Sequence, residues 1–293
     1  MLNYKNCFTI IILCISSVLS FGQSRFSITA GPSLSFSNFK WSIAGDINGR
    51  NPTVLSDLTY TKIQRIGFFI AANYEIKDLF EINATIDKSY TTRGKGTDVD
   101  YQGNYKTQPA YRLEFDSKAG NALNGRLSFV VKARDYGFSK IHVGIQTEIF
   151  NQTLAIESPE IVALASKYTT KTYGIGPTIN MQINLTKRVQ IEVSETFTSS
   201  IYRAKANWNL NPNLQSPLSF KQKANGFKIN TGTAIFYTLS DKMKVHYTFN
   251  YLFEKINKGK DIAYLNTGLL SETMFNGAHQ KMLKQTIGLQ YNF

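Results

Sequence analysis

Apolar and polar residues alternate one for one along most of this chain. From Ile66 to Ile76 the even positions read Ile66, Phe68, Ile70, Ala72, Tyr74 and Ile76, with Gly67, Phe69, Ala71, Asn73 and Glu75 between them. The same period runs through 80–86, 127–133, 141–149, 173–185, 189–193, 227–239 and 245–253. An opening segment carries Phe26, Ile28 and Ala30, and a closing one Leu283, Ile287, Leu289, Tyr291 and Phe293. A period of two is the side-chain period of a β-strand. Ten strands are counted in this way, with eight or twelve as alternatives where segments are ambiguous.

The links between them alternate in length. Short ones fall at 77–79, around 135–137, at 186–188 and at 240–242; long ones cover roughly 37–61, 93–125, 152–167, 203–225 and 257–280. Tight turns at one end and long links at the other describe a closed up-and-down antiparallel barrel. In membrane-spanning barrels the short turns are periplasmic and the long loops extracellular. Pro52, Pro109, Pro159, Pro212 and Pro217 fall in the long links, as turn chemistry favours. Pro32 and Pro177 sit inside strands behind Gly31 and Gly176, where a bulge or an unpaired position is required. Tyr111, Leu113 and Phe115 alternate within 93–125, which reads as an added hairpin or as strand continuing past the membrane.

An apolar run from Phe8 to Leu19 follows Lys5 and ends in Ser20-Phe21-Gly22, the layout of a secretory signal peptide. The expected organisation is therefore a leader over 1–22 and one barrel domain over 23–293. Both cysteines, Cys7 and Cys14, lie in the leader. A mature chain without them excludes disulfides, thiol catalysis and thiolate metal sites.

Composition alone points two ways. Mean hydropathy is −0.22, as for a soluble protein, yet aromatics reach 13% and charged residues only 18%, below the roughly 25% of an average globular domain. A soluble barrel turns its apolar face inward, whereas a membrane barrel turns it toward lipid. The apolar face here is nearly free of charge, with Lys88, Lys171 and Glu195 as exceptions expected near the long-link ends. Its apolar runs have the length that spans a bilayer as tilted strands. Tyr and Phe cluster at strand ends, as an interfacial girdle requires. The lipid-facing reading places the protein in the outer membrane of a Gram-negative bacterium.

The leader, the alternating strands and the terminal Gln290-Tyr291-Asn292-Phe293 resemble those of bacterial outer-membrane β-barrel proteins. The opening strand ITAGPSLSF (28–36) is similar to the PorT-like and porin-like barrels of Bacteroidota. The resemblance implies that Tyr291 and Phe293 form the C-terminal signal read by the barrel-insertion machinery. It also implies, through PorT-like barrels, a role as an accessory to protein secretion.

With apolar residues toward lipid, the alternate positions face the lumen. They include Arg65, Arg126, Lys132, Arg134, Lys228, Lys244 and Lys284, set against Glu75, Glu81, Asp87, Glu148, Glu192 and Glu254. Buried charges demand partners, so these form either a polar core that fills a narrow barrel or the walls of a narrow solute channel. Surplus positive charge lies in the long links, at Arg203, Lys205, Lys221, Lys223, Lys255, Lys258 and Lys260. It suits either the phosphates of outer-membrane lipopolysaccharide or plain solvation. Nucleic acid is not an expected partner of an exported protein, despite a pI near 9.5.

Candidate chemistry is sparse. The histidines are His142, His246 and His279. Omptin proteases place acidic residues and a His at the extracellular mouth of a ten-stranded barrel. Here Asp98-Val99-Asp100 reads as part of a long link with no His beside it. No spacing suggests a metal, a cofactor or a nucleophile elbow. The expectation is a non-enzymatic barrel acting through its surface loops. A narrow channel, a secretion accessory and an omptin-like or lipase-like surface hydrolase with His142 or His246 as base are the alternatives, and the protein partner is not specified by the sequence.

Overall fold

The computed structural model describes residues 24–293, so the leader expected over 1–22 lies outside the described residues. They form one antiparallel sheet closed on itself: β1 (Ser24–Ile43), β2 (Ser56–Ile76), β3 (Phe80–Gly103), β4 (Thr107–Asp116), β5 (Gly120–Asp135), β6 (Ser139–Glu157), β7 (Ala165–Asn184), β8 (Val189–Asn207), β9 (Phe220–Ser240), β10 (Met243–Ile256), β11 (Gly259–Tyr264) and β12 (Leu270–Asn292). The pairing of β1 with both β2 and β12 closes the ring. β4 and β5 pair successive stretches of β3, and β10 and β11 pair successive stretches of β9. Each couple is one long strand with a break, so the twelve segments make a ten-stranded barrel.

The short turns, the start of β1 and the end of β12 share one end, the periplasmic one. Between β2 and β3, Lys77 and Asp78 both take positive φ (53° and 51°). Two such residues make the tight turn whose twist matches that of the flanking strands. At the other end the long links are mostly strand: 93–125 holds the end of β3, the hairpin to β4 and the start of β5.

The faces of the sheet exchange character along each strand. On β1 the outward positions run Phe26, Ile28, Ala30, Pro32, Leu34, Phe36 and then Asn38 and Lys40. The inward ones run Ser27, Thr29, Ser33, Ser35, Ser37 and then Phe39 and Trp41, all buried. The strand keeps its parity while the chemistry swaps. The lower half is apolar outside and polar inside, as a lipid-embedded barrel requires. The upper half is polar outside and apolar inside, as a water-soluble barrel requires.

Pro32 and Pro177 need no bulge. The register of β1 on β12 is the same before and after the gap at Gly31-Pro32, as is that of β7 on β8 at Gly176-Pro177. Proline offers no N–H to the ladder, and the carbonyl oxygens of Ile287 and Phe197 lean instead on the two glycines. A Cβ built on Gly31 or Gly176 would lie 1.9 Å from the respective oxygen.

Candidate functional site

The lumen is built in layers. Uppermost is an apolar core contributed from around the ring, including Phe39, Trp41, Leu58, Tyr60, Phe115, Leu154, Tyr168, Tyr202, Phe220 and Phe275. The link 208–219 closes over it: Trp208 packs on Phe220 with ring centroids 4.9 Å apart and on Trp41 at 6.4 Å. Tyr168 exchanges a 2.6 Å hydrogen bond with the Tyr202 hydroxyl and lies 2.5 Å from Gln222 Oε1. Gln222 in turn donates to Asp261 at 2.9 Å.

Beneath this core lies a band of buried charges, of which the lysines are ion-paired. Arg65, 1% exposed, donates to Ser37 Oγ at 3.1 Å and to Gln152 Oε1 at 2.9 Å. Lys228 lies 2.5 Å from Glu148 and 3.6 Å from Glu254, and the Phe150 ring covers it. Thr198 adds a hydrogen bond to Glu148. Lys284 meets Asp87 at 3.0 Å. Arg126 and Lys284 then line a chamber of about 240 Å³, together with Phe69 and His246. Glu75, Glu81, Glu192 and Lys244 line a wider vestibule of about 700 Å³ at the periplasmic end. Glu81 also stands 3.3 Å from His142 Nε2, and Lys132 pairs with Asp135 at 3.4 Å.

Arg134 is not in the lumen. The register of β5 on β6 shifts between Lys132 and Arg134, so Arg134 pairs with Ile141 rather than the next inward residue. The irregularity turns it to the outer side, where its guanidinium lies over the Tyr136 ring. Glu195 also differs from expectation: it stands mid-belt on β8, between Val193 and Phe197, with Thr231 donating to it at 2.6 Å. Lys88 and Lys171 sit higher on their strands, over the rings of Tyr90 and Tyr173. Tyr291 and Phe293 are at the periplasmic end, edge to face at 5.0 Å, with Phe293 against Phe26 at 5.4 Å.

Asp98 and Asp100 lie on β3 rather than in a loop, high on the inner wall and opposite Leu58 and Ser56. Burial, and next the Asp100 carboxylate, push the Asp98 carboxyl up to about 7, while hydrogen bonds from Ser56 and Trp208 oppose the rise. Asp261 is pushed up to about 6, again chiefly by burial. The sequence pattern singles out Asp98 and Asp100 but places them in a long link, because the strand carrying them continues beyond the lipid-facing pattern. No histidine is near. His142 contacts Glu81, seventeen residues below Asp98 on the same strand, which is about 55 Å of extended chain. His246 lines the lower chamber, and His279 pairs with Lys40 on the outer face.

A closed antiparallel barrel with an apolar belt and a polar lumen defines an integral outer-membrane β-barrel protein. Residues 36–293 match the family described as Pom, Protochlamydia outer membrane protein, and the chain belongs to that family. It is an outer-membrane protein of Gram-negative type. Among solved structures it is similar to the outer membrane protease OmpT from Escherichia coli, with 13% identity and a TM-score of 0.68 over 94% of this chain and 98% of that one. At that identity the likeness is one of fold. The translocator domain of the autotransporter NalP from Neisseria meningitidis matches at 10% identity and a TM-score of 0.37, covering 99% and 96% of the two chains. OprG from Pseudomonas aeruginosa matches at 9% identity and a TM-score of 0.37, covering 92% and 96%. No curated protein sequence matches the chain.

Proposed function

We propose that the protein is a non-conducting, non-enzymatic barrel whose extracellular half serves as a rigid surface for contacts at the cell envelope. One observation carries this reading: side chains from opposite walls meet across the lumen in the aromatic core. Ten strands enclose little more than the interior of an eight-stranded barrel, which side chains can fill. A solute path through that core would have to displace residues that are fully buried. The separation of His142 and His246 from the acids at the mouth speaks against a surface hydrolase with either as base. Reconstitution in planar bilayers tests the proposal. Silence at both polarities is expected, and reproducible open steps would favour the narrow channel.

The periplasmic vestibule favours a second reading, the accessory to secretion that PorT-like barrels suggest. Its charged walls, open to the periplasm, could receive a segment of an exported or periplasmic partner. Photo-crosslinkers placed at Gln182 and Gln190 would capture such a partner in cells if this reading holds, and capture none if it fails.

A further inference from the structure

The outer face of β7, β8 and β9 carries a ladder of cations directly above the apolar belt. Lys171 pairs with Arg203, Arg203 with Lys223, and Lys205 with Lys221. The row beneath them is Tyr173, Ile201 and Asn225, the first two lipid-facing. Like charges placed directly opposite on neighbouring strands repel one another. None of the five forms an ion pair with an acid among the described residues. Lys171 and Lys221 lie instead over the rings of Tyr173 and Tyr264, at 4.8 and 5.2 Å. The strands hold the row in register from both sides, so the charges cannot drift apart as they could on a loop.

A fixed row of uncompensated cations at the upper edge of a lipid belt suits an amphiphile with phosphates at that height and acyl chains below. Phosphate accepts from Arg and Lys donors, and cations beside an anionic leaflet gain from it. We propose that this ladder binds the phosphorylated glycolipid of the outer leaflet, with its phosphates on Arg203, Lys205, Lys221 and Lys223 and its acyl chains along Tyr173 and Ile201. The site would work in the same way whether or not the lumen conducts.

A second cationic area supplies a control. A groove of about 860 Å³ on the β1–β3 side is lined by Lys62, Arg93, Lys95 and Lys281, with Asp116 held by Lys118 at 2.8 Å. Three variants are compared with wild type after extraction from outer membranes: R203Q/K205Q/K221Q/K223Q, K62Q/R93Q/K95Q/K281Q, and K187Q/R188Q/K242Q at the periplasmic turns. Heat-modifiable migration establishes that each is folded, and mass spectrometry counts lipid A molecules per barrel. The ladder variant is expected to retain less than a tenth of the wild-type lipid A, and the other two most of it. Equal loss in all three, loss only in the groove variant, or no retention by wild type would overturn the proposal. If the ladder variant does not fold, R203Q/K223Q is used, with a severalfold loss expected and unchanged retention overturning the proposal. Delipidated wild type in phosphatidylcholine vesicles should gain heat resistance from added lipid A and none from millimolar inorganic phosphate. An equal gain from phosphate would overturn the lipid as the ligand.

Discussion

The indole of Trp41 on β1 stacks on the phenol ring of Tyr168 on β7, with centroids 5.1 Å apart and planes 17° from parallel. In the ten-membered ring these strands are diametrically opposed, so the contact crosses the lumen. Phe39 and Phe220 flank the Tyr168 ring at 5.9 and 6.2 Å. Trp41→Ala should therefore lower stability by about 3–5 kcal/mol, the usual cost of emptying a buried aromatic site. Urea unfolding of the protein refolded into vesicles reads the loss, and a change under 1 kcal/mol would show that the upper core is not packed as described.

Lys228 holds two buried carboxylates, and its removal leaves both unpaired. Lys228→Met should cost about 3–5 kcal/mol, the range for breaking a buried ion pair by removing one partner. Adding Glu148→Gln and Glu254→Gln should restore much of this, because no uncompensated charge remains. A double-mutant cycle on urea midpoints checks the coupling, and strict additivity would contradict the pairing.

At Gly31 and Gly176 the facing carbonyl occupies the space of a Cβ. Gly31→Val and Gly176→Val should each abolish heat-modifiable folding or leave only a minor folded fraction. Pro32→Ala should fold normally, since it only returns an N–H to the ladder. Normal folding of both glycine variants would refute the close approach.

Glu195 faces lipid mid-belt with a single hydroxyl donor. Acidic side chains on a barrel's lipid face are destabilising, though less so than basic ones. Glu195→Leu is expected to leave stability unchanged or to raise it by about 1 kcal/mol. A clear loss of stability in pure lipid vesicles would mean that the carboxylate makes a stabilising contact beyond the Thr231 hydroxyl.

Asp98 and Asp261, raised to about 7 and about 6 by burial, make the extracellular core sensitive to pH. Asp98 is faced by the acids Asp57 and Asp100, the donors Ser56 and Trp208, and the phenols Tyr60 and Tyr111. A folded-state value above the unfolded one means that the native state holds its proton more tightly. Stability from these groups is then full below about pH 4 and declines as pH rises toward 7. Asp98→Asn should flatten that decline and stabilise the protein at pH 8. Unfolding midpoints between pH 4 and pH 8 measure it, and a steeper decline in the variant would contradict the sign.

Sequence alternation located all ten membrane strands because lipid imposes one chemistry on one face. It lost them at Phe36, Leu283 and Ile201, where the outer face turns polar while the apolar residues move to the inner face. On β1 the apolar positions step from Phe36 to Phe39, a change of parity that reads as the end of a strand although the backbone continues. The same change put Asp98 and Asp100 in a loop and made strand extensions look like links. Parity also assigned most lumenal charges, since they lie within unbroken alternation. It failed at Arg134, where a local irregularity consumes one residue and alternation carries no sign of it. Charge pairing was not legible at all: Lys228, Glu148 and Glu254 meet only because β6, β9 and β10 close round a common lumen.

The exchange of faces along each strand is the feature from which the sealed lumen and the exposed cation ladder both follow. The mature chain expected from the sequence contains no cysteine, so single cysteines at Ile28, Leu34, Lys40 and Trp41 can be labelled with a fluorophore in vesicles and quenched from lipid or from water. Positions 28 and 34 should be quenched by lipid-borne quencher alone and position 40 by aqueous iodide alone, while position 41 should react poorly and be quenched by neither. Lipid quenching at position 40, or free aqueous access at position 41, would contradict the account.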